Sequence, residues 1–276
     1  MGPLRPNHHS ANWRPVTDAL DQFPDTSTLA RSRPRPRRNI LFLPGFLLRC
    51  HRALVTVALL QPRLAGKHLA QPNAHHCQEV GTWLARLHLA TRDDILERRS
   101  DRGLDWMLEE GTVLALELHD EQLPLLRDGL AEIAELRPKL LALPRANLHA
   151  DLFRDNVLFE GSHLTGVIDF YNACSGPMLY DLAITLNDWC SAADQRLDGP
   201  RAQALLGAYA ALRPFTRAEA ELWPAMLRIA CLRFWLSRLI AARRFRGRDV
   251  LVKDPAEFQR RLARRQRVDL ALPLAL

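Results

Sequence analysis

Beyond residue 56 the apolar positions fall into helical stripes. Cys77, Val80, Leu84 and Leu87 recur at three- and four-residue steps with Glu79, Thr82 and Arg86 between them, which predicts an amphipathic helix opening near Asn73. Leu126, Leu130, Ile133 and Leu140 predict a second helix, ended by Pro144, and Leu205, Leu206, Tyr209 and Leu212 a third. Thr216-Arg217-Ala218-Glu219 is a capping box that opens a long apolar stretch to about Arg244, where Pro224 is expected to kink or split the helix. Asp254-Pro255-Ala256-Glu257 reads as an N-cap, a first-turn proline and an acidic third position before an Arg-rich helix. The strand signals are short: Val57 to Leu60, Asn147 to His149, Val157 to Phe159 and Thr165 to Ile168, with Gly161 and Gly166 as turns.

Residues 1–56 are written differently. They hold seven prolines and nine arginines but neither lysine nor glutamate, and outside the apolar run Ile40–Leu48 no period emerges. Such a segment has little apolar surface to offset its ordering entropy, and it is expected to be disordered. Its composition is also what an out-of-frame reading of GC-rich DNA would give. The expected division is therefore an Arg/Pro-rich segment over 1–56, a folded unit over 57–268 and a tail over 269–276.

Charge and cysteine content narrow the function classes. The net charge of +7 is concentrated in residues 1–56, and the rest of the chain is nearly neutral, so no broad nucleic-acid face is expected. The run Ile40–Leu48 contains Pro44 and Gly45 and falls far short of the ~18 residues of a membrane span. Arg37-Arg38 precede it, but Arg49, His51 and Arg52 follow at once without a small-residue cleavage site, so it is not read as an export signal. Cys50, Cys77, Cys174, Cys190 and Cys231 form no Cys-x-x-Cys pair and are odd in number, which argues against a zinc site or a disulfide framework. Separate thiols in a reducing cytoplasm are the expectation.

The chemistry is concentrated in His149-Ala150-Asp151-Leu152-Phe153-Arg154-Asp155-Asn156 and, thirteen residues after Asn156, Asp169 at the end of Val167-Ile168-Asp169-Phe170. This fits the kinase catalytic-loop pattern His-x-Asp-Leu-x-x-x-Asn with a second acidic-Phe element downstream. Asp151 stands where a carboxylate accepts the proton of an attacking hydroxyl. Asn156 and Asp169 stand where oxygen ligands hold Mg2+ on the phosphates of ATP. A short hairpin between them would bring both to one ion.

These residues resemble the aminoglycoside phosphotransferase and choline kinase superfamily, which also has a Tyr-Asp-Leu-Ala element, here Tyr180-Asp181-Leu182-Ala183. Longer strings are similar to the pseudomonad-type homoserine kinases: Leu59 to Leu69, Leu148 to Phe159, Gly166 to Cys174, Tyr180 to Cys190 and Phe234 to Leu239. The resemblance implies an α+β, protein-kinase-like fold, mainly its helical C-lobe. It also implies ATP-dependent phosphorylation of L-homoserine to O-phospho-L-homoserine, with no membrane or nucleic-acid partner. By the same resemblance Asp151 is the base, Asn156 and Asp169 hold magnesium, and the backbone of Gln61, Pro62, Arg63 and Leu64 is the hinge that reads adenine.

Other residues stay open between two readings. Arg154 either meets the substrate carboxylate or is a solvated loop charge. Tyr171 and Asn172 either line the acceptor pocket or serve as core aromatic and turn residue. His149 is expected to orient the loop, and Asp181 to brace it or cap a helix. Trp235 and Arg238 are expected to pack within their helix. A kinase also needs a small lobe with a phosphate-covering loop and a Lys–Glu pair. No Gly-x-Gly occurs, and Lys67 and Glu79 are the first lysine and glutamate in the chain. A non-catalytic binding module, or a kinase of choline, sugars or aminoglycosides, is therefore carried as the alternative.

Overall fold

The computed structural model describes residues 63–274. Gln61, Pro62, Cys50 and the strand expected at Val57 to Leu60 lie outside the described residues, as does the whole of 1–56. Among the described residues there are seven α-helices and four short strands.

Helix α1 (Ala74–Thr91) opens where expected. The Asn73 side chain accepts from the His76 amide, and the His76 ring returns the bond to the Asn73 amide, a reciprocal cap. Its stripe of Cys77, Val80 and Leu84 is fully buried. α1 packs on α5 (Gly199–Leu212), which Asp198 caps by accepting from the Arg201 amide. The two helices come closest at Gly81, where a Cβ would run into the Leu205 carbonyl. α2 (Leu104–Leu114) and α3 (Gln122–Leu141) pair with each other and against α6 (Arg217–Arg244). Thr216 and Glu219 close the predicted capping box of α6. Pro224 does not split α6, which runs unbroken for 28 residues with the proline inside. α7 (Pro255–Arg265) starts at the Asp254 cap and packs along α6.

The strands form two antiparallel pairs. β1 (Arg145–Leu148) pairs with β4 (Cys174–Pro177), Leu148 opposite Cys174. β2 (Val157–Glu160) and β3 (His163–Val167) form a hairpin, Val157 opposite Val167, with a register shift at Leu158/Phe159. Lys67 joins the outer side of β2 by exchanging two 2.9 Å backbone bonds with Phe159.

Helix α4 (Met178–Trp189) is the spine: all twelve of its residues are buried. Most of its polar side chains are committed to partners inside the fold, the Tyr180 hydroxyl excepted. Asn187 donates to the Leu227 carbonyl and accepts from Arg265 Nε, tying α4 to α6 and α7. The four described cysteines are buried free thiols, and burial pushes those of Cys174 and Cys231 up to about 11, which leaves them unreactive. Among the described residues no helix is long and apolar enough to cross a membrane.

Candidate active site

β1 delivers the chain into the segment His149–Asn156, and α4 holds that segment from below at three places. Asp181 accepts from the backbone amides of His149 and Ala150, both at 2.8 Å, and pairs with His88 Nε2 at 3.2 Å. Trp189 Nε1 donates to the Leu152 carbonyl at 3.0 Å. Asp188 accepts from both the Arg154 amide and its guanidinium. Burial raises the pKa of the Asp181 carboxyl, but the hydrogen bond and charge of His88, followed by His149, outweigh it and hold the group below its usual range. Serving Asp181 requires Ala150 to adopt a left-handed conformation, φ 61°, which is costly for a residue with a Cβ.

The two nitrogens of His149 divide their roles. Nδ1 accepts from the Asp151 amide at 3.2 Å, and Nε2 lies 2.9 Å from the Ile168 carbonyl and donates to it. The ring is fully buried and has no path to a reacting atom. It joins the segment carrying Asp151 to the end of β3.

Asp151, Asn156 and Asp169 line one cavity of about 350 Å³ together with Arg102, Arg233 and Ser237. The β2–β3 hairpin brings Asn156 beside Asp169: the Ile168 amide donates to the Asn156 carbonyl at 3.0 Å. Asn156 Nδ2 donates to the Asp151 carbonyl at 2.8 Å, which leaves its Oδ1 without a partner among the described residues. Asp169 is itself left-handed, φ 65° and ψ 59°, and its carboxylate makes no hydrogen bond or ion pair among the described residues. Two free oxygen donors at one cavity wall suit a hard divalent cation. Asn172 Nδ2 donates to Asp151 Oδ2 at 3.1 Å and fixes that carboxylate. Burial raises the Asp151 pKa, while the charges of Arg233 and then His149 oppose the rise.

Two residues left open between a substrate and a structural reading, Arg154 and Tyr171, do not line the cavity. The Arg154 guanidinium is spent on Asp188 and on the Ala70 carbonyl, and it does not line the cavity. The Tyr171 side chain is 67% exposed, and that residue contributes its carbonyl, which accepts from Arg98. Arg63 and Leu64 of the expected hinge line a second concavity with Gly66, Phe159 and Glu160, on the outer side of β2. Sequence reasoning missed Arg102 and Arg233. Arg233 sits inside the apolar run of α6, and the only signal was an arginine in a stretch that otherwise reads as core.

The chain is similar to known proteins. The homoserine kinase of Pseudomonas aeruginosa (strain UCBPP-PA14) is 70% identical over 219 residues, 79% of this chain and 69% of that protein. The chain belongs to the homoserine kinase family. That of Methylobacillus flagellatus is 44% identical over 204 residues, covering 74% of this chain and 63% of its own. The broader model, the phosphotransferase enzyme family, matches residues 40–215, starting upstream of the composition break at residue 57. Among solved structures, a choline/ethanolamine kinase family protein from Mesorhizobium loti superposes with a TM-score of 0.52 at 21% identity, over 69% of this chain and 61% of that one. Amicoumacin kinase hAmiN gives 0.52 at 16% identity, over 75% and 62%. This chain thus spans about three fifths of those structures, and at such identities the likeness is one of fold. The family's fold is the protein-kinase-like one expected from the strings above, seen here as its mainly helical lobe.

Proposed function

We propose that this chain transfers the γ-phosphoryl group of ATP to the side-chain hydroxyl of L-homoserine, giving ADP and O-phospho-L-homoserine on the route to threonine. The observation that carries the reading is the convergence of Asp151, Asn156 and Asp169 on one cavity, within a chain 70% identical to a homoserine kinase. Asp151, held by Asn172, takes the hydroxyl proton as the oxygen bonds to the γ-phosphorus and the bond to the ADP oxygen breaks. Asn156 Oδ1 and the Asp169 carboxylate would hold Mg2+, which when bound offsets phosphate charge. The backbone of Gln61 to Leu64 would receive adenine, and residues 57–268 would form the large lobe with its hinge. Asp181 and His149 keep the backbone of Asp151 in place.

Steady-state ADP release by the full chain, with ATP, magnesium and a panel of acceptors, tests the reading. L-Homoserine is expected to exceed choline, sugars and aminoglycosides in kcat/KM. Asp151→Asn should lower kcat by about 10²- to 10⁴-fold, the usual worth of a general base. Faster turnover of any cationic acceptor than of homoserine would overturn the substrate assignment.

A further inference from the structure

Arg233 presents an unsolved charge. It is 3% exposed, on the part of α6 that lines the cavity. Its nearest acid is Asp151, with NH1 4.0 Å from Oδ1, too far for a hydrogen bond. Its carbon centre lies 3.8 Å from the Phe234 ring centroid. Among the described residues none of its guanidinium N–H groups donates to any acceptor. Burying a cation is expensive, and most buried arginines have their donors taken up by acceptors. The other buried arginines of this fold each donate to at least one acceptor: Arg265 to Asn187, Gln195 and Ser191, Arg213 to Glu219, and Arg261 to Gln195 and Glu257 although its NH1 has no partner. The hydroxyl of Tyr180 is likewise buried and without a partner. Arg102, exposed at the rim of the same cavity, also leaves its guanidinium unengaged among the described residues.

The lining of the cavity is polar in two senses: Asn156 and Asp169 offer oxygens, Arg233 and Arg102 offer N–H donors, and Asp151 lies 4.0 Å from Arg233. A ligand that fills it must carry a hydroxyl for Asp151 and an anion for Arg233. The 4.0 Å between those groups sets the two ends close together. We propose that Arg233, assisted by Arg102, determines acceptor specificity by receiving the α-carboxylate of a short hydroxy amino acid whose side-chain hydroxyl faces Asp151. This rests on the homoserine reading above and adds which residues recognise the amino-acid end.

The test compares L-homoserine with L-homoserine amide, in which a neutral carboxamide replaces the carboxylate. Calorimetric affinity and kcat/KM are measured on the full chain and on Arg233→Met, Arg233→Lys and Arg102→Gln. The unaltered protein should prefer homoserine by about 10- to 100-fold, the worth of one charge-assisted hydrogen bond in a dry site. Arg233→Met should collapse that preference to within about threefold by losing homoserine rather than gaining the amide, leaving KM for ATP in place. Arg233→Lys should retain part of it, since lysine keeps the charge but not the fork. Arg102→Gln, at an exposed position, should reduce it by a smaller factor. An Arg233→Met protein that folds and keeps the full preference overturns the proposal. So does a rise in the KM for ATP with the preference intact, which would assign Arg233 to phosphate. Should Arg233→Met not fold, an undiminished preference in both Arg233→Lys and Arg102→Gln is equally decisive against it. If the unaltered protein binds neither compound, the homoserine reading falls and this one with it. Homoserine binding without Arg233 dependence refutes this inference alone.

Discussion

Asp181→Ala should damage stability and catalysis together. The carboxylate is fully buried and serves the amides of His149 and Ala150, with His88 as a third contact. Truncation leaves two buried N–H groups and a histidine without their acceptor. Breaking a buried charged partnership costs about 3–5 kcal/mol. Asp181→Asn keeps one oxygen but turns an amide nitrogen toward a donor, so about 1.5–3 kcal/mol is expected, the worth of one charged hydrogen bond. Urea unfolding of the three proteins, followed by tryptophan fluorescence, gives the differences. The pH dependence supplies a second check. Because the folded-state pKa lies below the ordinary one, the stabilisation is complete above the unfolded value and drains away as pH falls through the folded value. The gap between native and variant should therefore close in acid. Turnover should fall as well, since Ala150 is then free to leave its left-handed conformation and take Asp151 with it. A loss below about 1 kcal/mol for Asp181→Ala would refute the view that this carboxylate carries the loop, given the size expected for a buried pair.

Three further outcomes are expected. The acid limb of kcat/KM should lie above the ordinary carboxylate range, since burial raises Asp151, and Arg233→Met should move it higher still by removing the charge that opposes the rise; a limb unmoved in that variant would contradict this. Arg154→Ala should destabilise the fold by about 1–2 kcal/mol in chemical denaturation, by stranding the mostly buried Asp188, yet leave the acceptor KM within about twofold; a large rise in that KM would restore Arg154 as a substrate ligand. Gly81→Ala should cost about 1–3 kcal/mol by forcing α1 away from the Leu205 carbonyl; a neutral melting profile would show that the helices can part freely.

The helices that the sequence announces are those with one wet face or a written cap. Asn73, Asp198, Thr216 and Asp254 each accept a backbone amide at a helix start. α4 does carry a polar stripe at helical steps, Asp181, Thr185 and Asp188, but with every position from Met178 to Trp189 buried that stripe faces partners inside the fold instead of water, and it drew no helix expectation. α2 starts at Gly103 with no side-chain cap and gives no signal. That Asn156 and Asp169 come to line one cavity with Asp151 was readable, because one hairpin joins the first two. Arg154 stayed open between two readings and Arg233 drew none, because spacing does not say which way an arginine points. The loop arginine turns inward to Asp188, whereas the arginine in the apolar run reaches the cavity.

The anchoring of His149–Asn156 to α4 has a kinetic consequence. Although the segment is irregular, its amides and carbonyls are bonded to Asp181, Asp188 and Trp189, which cannot leave without dismantling the core. Loop and core then open as one cooperative unit, and the free energy for exposing the loop approaches that of global unfolding. The Ala150 amide should exchange with deuterium as slowly as those within α4, and proteases should find no early cut here. Whatever breathing admits and releases ligands must come from the other walls of the cavity, while Asp151 stays fixed.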